Sequence, residues 1–202
     1  SRKYSIYRGR WYEGQERDKK INYGKNLNNL RLRMETKAIP NCHGLSRLGY
    51  LKRFGKSHPE YFALMKSGKR YTNPNFPHPG QLCYSSGIRD EIRKDAKAFL
   101  TGKPASSRGA CRNGRYCWDL SGFQPGYFNI MPQDALYPCC CDKCQKYYNA
   151  GSEGISELIW GLVIEVANAL KREKIPGALT MMAYHPYDVV PKKLKIPDNV
   201  MV

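Results

Sequence analysis

The hydrophobic positions of this chain follow helical spacing most clearly towards its C-terminus. Between residues 152 and 173 an apolar side chain recurs every three or four positions, and Pro176-Gly177 ends the pattern, which predicts a long amphipathic helix. A second helix is predicted over residues 86–100, where Ser85 or Ser86 supplies the N-cap. A shorter helix is predicted over residues 57–68, which hold an early proline and a final glycine.

Strands are predicted where apolar residues alternate with polar ones or form short runs between turn residues. They cover residues 29–34, 81–84, 127–131 and 178–184, and a further strand begins at Val200. Strands and helices therefore alternate, which is typical of a parallel sheet with crossover helices. The long connections after the strands favour a barrel or a doubly wound sheet that works at its carboxyl edge.

The length of the chain limits the predicted fold. Its 202 residues are fewer than the roughly 250 of a complete eight-fold barrel, so we predict an α/β fold that is an incomplete segment of a (β/α)8 TIM-type barrel. This segment covers residues 29–202 and is expected to continue beyond the C-terminus, whereas residues 1–28 form a basic, weakly structured entry segment. The sequence has no Gly-x-Gly-x-x-Gly or Gly-x-x-x-x-Gly-Lys-Ser/Thr loop, which disfavours a nucleotide-binding fold.

The charge of the chain is strongly positive and unevenly distributed. The formal net charge is +17, with 18 Lys and Arg against 5 Asp and Glu in residues 1–74 and 16 against 12 in the remainder. A basic half of this kind indicates an anionic partner, which can be an acidic polysaccharide, a nucleic acid or another protein, although solvated surface charge gives the same composition. No apolar stretch approaches the roughly 20 residues of a membrane span, so we expect no membrane partner.

Three predicted strands end beside residues that suit carbohydrate chemistry. Asp134 follows the strand over residues 127–131, His43 lies in the loop after the first strand, and Tyr184 and His185 follow the strand over residues 178–184. In a parallel barrel these ends open on one face, where enzymes place their catalytic groups. Asp134 is the candidate general acid, and the other three, together with Trp118, are candidates for binding a sugar. The alternatives are a loop-capping aspartate and ordinary core or loop side chains.

The eight cysteines are clustered along the chain, which favours a metal site or disulfides. Cys139, Cys141 and Cys144 have the close spacing of zinc ligands, and zinc prefers four tetrahedral ligands. Cys83, Cys140 or a histidine is a candidate for the fourth ligand. A structural zinc ion is therefore one interpretation, while disulfides to distant partners and free thiols remain alternatives.

Several short motifs occur in an order that resembles the domain of unknown function 4838 family of bacterial proteins. They are His58-Pro59-Glu60-Tyr61-Phe62-Ala63-Leu64, Gly68-Lys69-Arg70, Gln81-Leu82-Cys83-Tyr84-Ser85, Asp134 with Cys139-x-Cys141-x-x-Cys144, Ala183-Tyr184 and Ile196-Pro197-Asp198-Asn199-Val200. The resemblance runs from about His43 to Val202 and implies a glycoside-hydrolase-type (β/α) barrel, distantly similar to α-glucuronidases and hexosaminidases. Gln133 stands where the family typically has Asn, and Cys140 and the Cys111/Cys117 loop are further departures.

Together these features predict a glycoside hydrolase that acts on an acidic or sulfated polysaccharide. Glycoside hydrolysis usually requires two carboxylates, and the second one is expected beyond Val202. A secreted or periplasmic location would suit this activity. The alternative is a non-catalytic basic module that binds polysaccharide or nucleic acid, which the lack of a paired carboxylate favours.

Overall fold

The computed structural model describes residues 39–112 and 114–202, together with Arg31. The helices are α1 (Tyr50–Phe54), α2 (Ile88–Leu100), α3 (Asp142–Tyr148) and α4 (Gly151–Arg172), and the 3₁₀ turns are Gly44–Arg47, Pro59–Tyr61 and Ala105–Arg108. The strands are β1 (Cys111–Arg112), β2 (Arg115–Tyr116), β3 (Phe123–Gln124), β4 (Tyr127–Asn129), β5 (Ala178–Thr180) and β6 (Val200–Met201). The predicted entry segment, residues 1–28, and the predicted strand over residues 29–34, apart from Arg31, lie outside the described residues.

The main sheet has four strands in the order β3-β4-β5-β6. β3 and β4 form an antiparallel hairpin, whereas β4 pairs with β5, and β5 with β6, in parallel. The strands predicted near residues 127, 178 and 200 are thus confirmed as neighbours in one mainly parallel sheet. Because β4 and β5 run in the same direction, the segments that follow them leave the sheet at the same edge.

Helix α4 makes the crossover between β4 and β5, as its amphipathic pattern predicted. It packs against the sheet and against α2, which in turn contacts β4. The residues of its apolar stripe are almost completely buried, and burying each large aliphatic side chain contributes about 1.5–3 kcal/mol. The predicted helices over residues 86–100 and 152–173 are both confirmed, with ends that differ by one or two residues.

The predicted helix over residues 57–68 is wrong. Only Pro59–Tyr61 forms a single 3₁₀ turn, after which Phe62 is extended with φ −103° and ψ 152°. Phe62 then pairs antiparallel with Leu82, and Leu64 with Arg70. The glycine expected to end a helix, Gly68, instead has φ 78° in the turn between the two arms of this pairing. Tertiary pairing to a distant segment has therefore overridden the local helical pattern.

The predicted strand over residues 81–84 is correct in its extended shape but wrong in its placement. Leu82 pairs with Phe62 outside the main sheet, so it is no neighbour of β4 or β5. The two long loops also contain unpredicted structure. Residues 101–119 hold the 3₁₀ turn Ala105–Arg108 and the β1–β2 hairpin, and residues 132–149 hold helix α3.

The described residues form a mixed α/β structure whose four-stranded sheet does not close into a barrel. Within residues 39–112 and 114–202, no helix combines the length and the apolar character needed to cross a bilayer.

Candidate metal centre and carboxylate site

Four cysteine sulfurs lie together beside helix α3. They belong to Cys83, Cys139, Cys141 and Cys144, and all four lie within 4.8 Å of one another. Helix α3 begins directly after Cys141, so Cys141 and Cys144 lie one turn apart, while Cys83 comes from the segment that pairs with Phe62. The sequence had marked the last three of these residues, and the structure identifies Cys83 as the fourth.

The distances within this thiol cluster are short enough for its four sulfurs to bind one metal ion. Cys83 Sγ lies 3.6 Å from Cys141 Sγ and 3.8 Å from Cys144 Sγ. A tetrahedron with metal–sulfur bonds of about 2.3 Å has edges of about 3.8 Å, so four sulfurs at this spacing suit one tetrahedral ion. A disulfide requires an S–S distance of about 2.05 Å, and every cysteine among the described residues is a free thiol.

Polar groups around the cluster favour the thiolate form of one sulfur, that of Cys139. The Leu64 N–H donates to Cys139 Sγ at 3.2 Å, and Cys144 Sγ lies 3.1 Å from the Ser85 hydroxyl. Hydrogen bonds from the Cys144 and Cys83 thiols lower the pKa of Cys139, and the same contacts raise the pKa of Cys83 and Cys144. Cysteine binds metals as the thiolate, and hydrogen bonds of this kind orient and stabilise such ligands.

One extended segment, residues 61–64, holds both parts of the thiol cluster in place. The Cys83 N–H donates to Tyr61 O at 2.8 Å, and the Cys140 N–H donates to Leu64 O at 2.8 Å. Residues 61–64, which we call the scaffold segment, therefore connect the segment that carries Cys83 to the segment that carries Cys139. Neither connection has a signal in the sequence, since the two backbone hydrogen bonds join residues 22 and 76 positions apart.

Asp134 and His43 meet at the carboxyl edge of β4, as predicted. His43 Nε2 lies 3.7 Å from Asp134 Oδ1, and the two side chains are 21% and 50% exposed. The segment after His43 comes close to β4 because it begins with Gly44, where any Cβ would overlap the Asn129 carbonyl oxygen. The Leu45 N–H then donates to Met131 O at 3.1 Å, which fixes the position of His43.

The contacts of His43 determine which of its nitrogens carries a hydrogen. Its Nδ1 lies 2.9 Å from the Pro132 carbonyl oxygen, which can only accept, so Nδ1 must be the donor. Nε2 is then the nitrogen that faces the Asp134 carboxylate, 3.7 Å from its Oδ1.

Backbone geometry at this site is unusual for residues other than glycine. His43 has φ 44° and Ala135, directly after Asp134, has φ 50°. Left-handed conformations cost of order 1–3 kcal/mol at such residues and cluster at functional sites. The Ala135 N–H donates to Asp134 Oδ1 at 2.9 Å, which turns the carboxylate back over its own chain.

Two tyrosines complete the surroundings of Asp134. The Tyr184 ring packs edge-on against His43 with centroids 6.2 Å apart, and it is 46% exposed. Tyr187, which the sequence analysis missed, is buried, and its ring lies 6.5 Å from that of Tyr184. Burial raises the pKa of Tyr187, and the nearby Tyr184, Asp134 and Cys42 raise it further, so this phenol remains a neutral donor.

The other two predicted sugar-binding residues do not share these contacts. Trp118 packs against Phe99 and Phe123, and its indole N–H donates to Lys103 O at 2.8 Å. These contacts belong to the aromatic core beneath β3. His185 follows Tyr184 in the chain, but its side chain is 78% exposed and its Nδ1 lies 3.9 Å from Asp188 Oδ1.

Comparisons with protein-family models, with curated proteins and with solved structures found no match to this chain.

Proposed function

We propose that this chain is the carbohydrate-active part of a glycoside hydrolase, with Asp134 as its general acid. The observation that supports this proposal is the meeting of Asp134, His43 and Tyr184 at the edge where the parallel strands β4 and β5 end. Carboxylates at this edge are the usual catalytic groups of α/β enzymes. The barrel that the sequence predicts remains part of this proposal, with β4, α4 and β5 as one of its units.

The proposed reaction uses a proton held by the Asp134–His43 pair. Asp134 gives this proton to the glycosidic oxygen as the bond to the sugar carbon breaks, and a water molecule then bonds to that carbon. The proton that the water loses returns to the Asp134 carboxylate through His43. Tyr184 offers its exposed ring to a sugar face, and the neutral Tyr187 hydroxyl donates to a substrate oxygen. Among the residues that the structure describes, Asp188 is the candidate for the second carboxylate, because it is half exposed and lies on the same loop as both tyrosines.

An acidic or sulfated polysaccharide is the proposed substrate class, because the chain has a formal net charge of +17. The second candidate function is a non-catalytic module that binds such a polymer or a nucleic acid. This candidate is favoured because only one carboxylate, that of Asp134, lies among the described residues that contact His43, whereas hydrolysis usually requires two.

Replacing Asp134 tests the hydrolase proposal. Asp134→Asn keeps the shape of the side chain and removes its proton, so turnover of an acidic polysaccharide should fall by about 10²–10⁴-fold. Asp198→Asn is the matched control, because Asp198 is an exposed carboxylate whose partner is Lys171. Reducing-end release should persist in that control. Equal activity of Asp134→Asn and the wild type would show that the acid lies elsewhere, and binding without turnover in every protein would favour the second candidate.

We further propose that the thiol cluster binds a structural zinc ion. Four thiolates in a tetrahedron form a closed coordination shell without a free position for substrate, which is typical of structural zinc. The centre joins two segments distant in sequence, so occupation would stabilise the fold around residues 61–64. Zinc itself contributes no step of the proposed hydrolysis.

Serine substitutions at two cysteines, one inside the thiol cluster and one outside it, test the zinc centre. Purified wild-type protein should contain about one zinc ion per chain, with X-ray absorption showing only sulfur neighbours at about 2.3 Å. Cys83→Ser should lose most of this zinc, whereas Cys140→Ser should retain it, since Cys140 Sγ points to Pro138 O at 3.8 Å and stands outside the cluster. Wild-type protein without zinc, with these cysteines in disulfides to distant partners, would contradict the proposal.

A further inference from the structure

The side chain of Gln81 joins the loop that carries Asp134 to the segment that carries Cys83. Gln81 is 1% exposed, and both ends of its amide are used. Its Nε2 donates to Asp134 O at 2.7 Å, and its Oε1 accepts from the Tyr137 N–H at 3.2 Å. A buried amide with two satisfied contacts to one loop has a fixed orientation, because losing either contact leaves a polar group unpaired away from water.

Both ends of this bridge lead to the thiol cluster within two residues. Gln81 precedes Cys83 by two positions, and Tyr137 precedes Cys139 by two. The backbone of Gln81 is held by the scaffold segment, since the Ala63 N–H donates to Gln81 O at 2.8 Å. The separation between Cys83 and Cys139 thus sets the separation between Gln81 and the loop of residues 134–137.

Few other contacts hold the Asp134 loop. Its carboxylate is half exposed and accepts only from the next N–H, while the neighbouring Gln133 Nε2 donates to Pro79 O at 3.1 Å. Gln133 Oε1 is buried and has no hydrogen-bond partner. The two ends of the loop are held by other contacts, since His43 Nδ1 donates to Pro132 O at 2.9 Å and the Tyr148 hydroxyl donates to Tyr137 O at 3.3 Å. Between these ends, the position of Asp134 depends on contacts with residues 79–81, and Gln81 makes the shorter of the two side-chain contacts.

We propose that Gln81 is a positioning residue through which occupation of the thiol cluster fixes Asp134 beside His43. A bound metal ion holds Cys83 and Cys139 at one distance, and Gln81 then reaches both Asp134 O and the Tyr137 N–H. Without the ion, only weak thiol contacts fix the distance between Cys83 and Cys139 directly, and the backbone contacts through residues 61–64 leave Gln81 and the Asp134 loop free to shift relative to each other, so the contact between Asp134 and His43 loosens. The catalytic consequence rests on the proposed hydrolase function, but the positioning itself does not.

Nuclear magnetic resonance of the His43 ring tests the positioning directly. In the zinc-loaded full chain, Asp134→Asn defines the ring resonances of His43 without its carboxylate partner. Gln81→Leu removes both amide contacts at similar size, and it should move the His43 resonances towards those of Asp134→Asn. Gln124→Leu is the matched control, because the Gln124 amide donates only to Leu120 O at an exposed position. Its spectrum should keep the wild-type His43 resonances.

The metal part of the proposal uses the same signal. Replacing zinc by Cd²⁺, which forms longer bonds to sulfur, keeps the centre occupied and the chain folded. This exchange should shift the His43 resonances in the wild type and leave them unchanged in Gln81→Leu. Identical His43 resonances with either ion in the wild type would overturn the proposal, and so would a wild-type spectrum from Gln81→Leu.

These outcomes are separate from those of the hydrolase proposal. Metal-dependent His43 resonances in a protein that cleaves no polysaccharide would support the positioning and remove the hydrolase. Cleavage that depends on Asp134, together with His43 resonances that change neither with Gln81→Leu nor with the ion, would support the hydrolase and contradict the positioning role of Gln81.

Discussion

Asp95 is the most deeply buried charge among the described residues, and it connects three elements. Its side chain is 0% exposed and accepts two hydrogen bonds from Arg53, at 2.6 and 3.0 Å, and one from Arg108 Nε at 2.7 Å. Arg53 comes from α1, Asp95 from α2 and Arg108 from the 3₁₀ turn after α2. Two guanidinium groups around one carboxylate satisfy its oxygens well enough for the charge to remain buried.

Removing the charge of Asp95 should destabilise the protein strongly. Asp95→Asn leaves Arg53, whose side chain is 7% exposed, without an anionic partner. Breaking one side of such a buried pair costs about 3–5 kcal/mol, which urea denaturation would measure. The control is Asp90→Asn on the same helix, since Asp90 is 65% exposed and pairs with Arg93 at 3.4 Å. Its effect should stay within about 0.5 kcal/mol, and equal losses in the two variants would contradict the argument.

The position of a single residue could be predicted where it depends only on the direction of the strand that precedes it. Asp134 and Tyr184 follow two parallel strands, so the sequence placed them at one edge of the sheet, and His43 joined them. Gln81 was not predictable, because its role depends on a bridge to residues more than 50 positions away. Trp118 resembles a loop aromatic in the sequence, but its indole covers the core beneath β3. No local pattern separates those two roles.

At the scale of elements, two of the three glycines in helix α4 lie in opposite environments. A Cβ at Gly161 would meet only Leu194 Cδ1, at 4.0 Å, whereas a Cβ at Gly154 would overlap the Tyr147 carbonyl oxygen and lie 2.7 Å from Ala150 Cβ. Alanine at a helix position with free space reduces the entropy that the unfolded chain loses on folding. Gly154 instead permits the close turn by which α3 leads into α4.

These two positions give a matched prediction for alanine substitutions. Gly161→Ala should raise the free energy of unfolding by about 0.4–1 kcal/mol, and Gly154→Ala should lower it by about 1–3 kcal/mol because the backbone must shift. Thermal unfolding of both variants beside the wild type is the measurement. A loss of stability in Gly161→Ala would show that the space beside Leu194 is filled.

Elements with strong periodicity were predicted correctly, and short pairings were not. Helices α2 and α4 bury a continuous apolar stripe, so their pattern and their structure agree. Residues 57–68 have a capping serine and an early proline that suit a helix, yet Phe62 and Ala63 are buried side by side in an extended pairing. That pairing depends on Leu82 and Arg70 rather than on local propensity. The contacts of residues 61–64 with Cys83 and Cys139 also favour the extended form, and the spacing of apolar residues gives no sign of them.

At the scale of the whole molecule, the thiol cluster and the carboxylate site are the two ends of one connected region. The scaffold segment, residues 61–64, contacts the two segments that carry the cysteines, and Gln81 connects them to the loop of Asp134. The parallel strands β4 and β5 place the other side of the site, with His43 and Tyr184. Two separate sets of contacts thus hold the two sides of the site, one from the scaffold segment and Gln81, and the other from the parallel strands.

The proposed binding of an acidic polysaccharide should depend on the uneven positive charge of the chain. Residues 1–74 carry 18 Lys and Arg against 5 Asp and Glu, so binding to a sulfated polysaccharide such as heparin should weaken steeply as salt rises. The physical reason is screening, because exposed charges interact little beyond a Debye length of about 8 Å at physiological ionic strength. Fluorescence titrations between about 50 and 500 mM salt would measure this dependence, with neutral dextran as the matched polymer. Equal, salt-insensitive binding to dextran would remove the argument for an acidic substrate, and salt-sensitive binding to DNA alone would favour the nucleic-acid module.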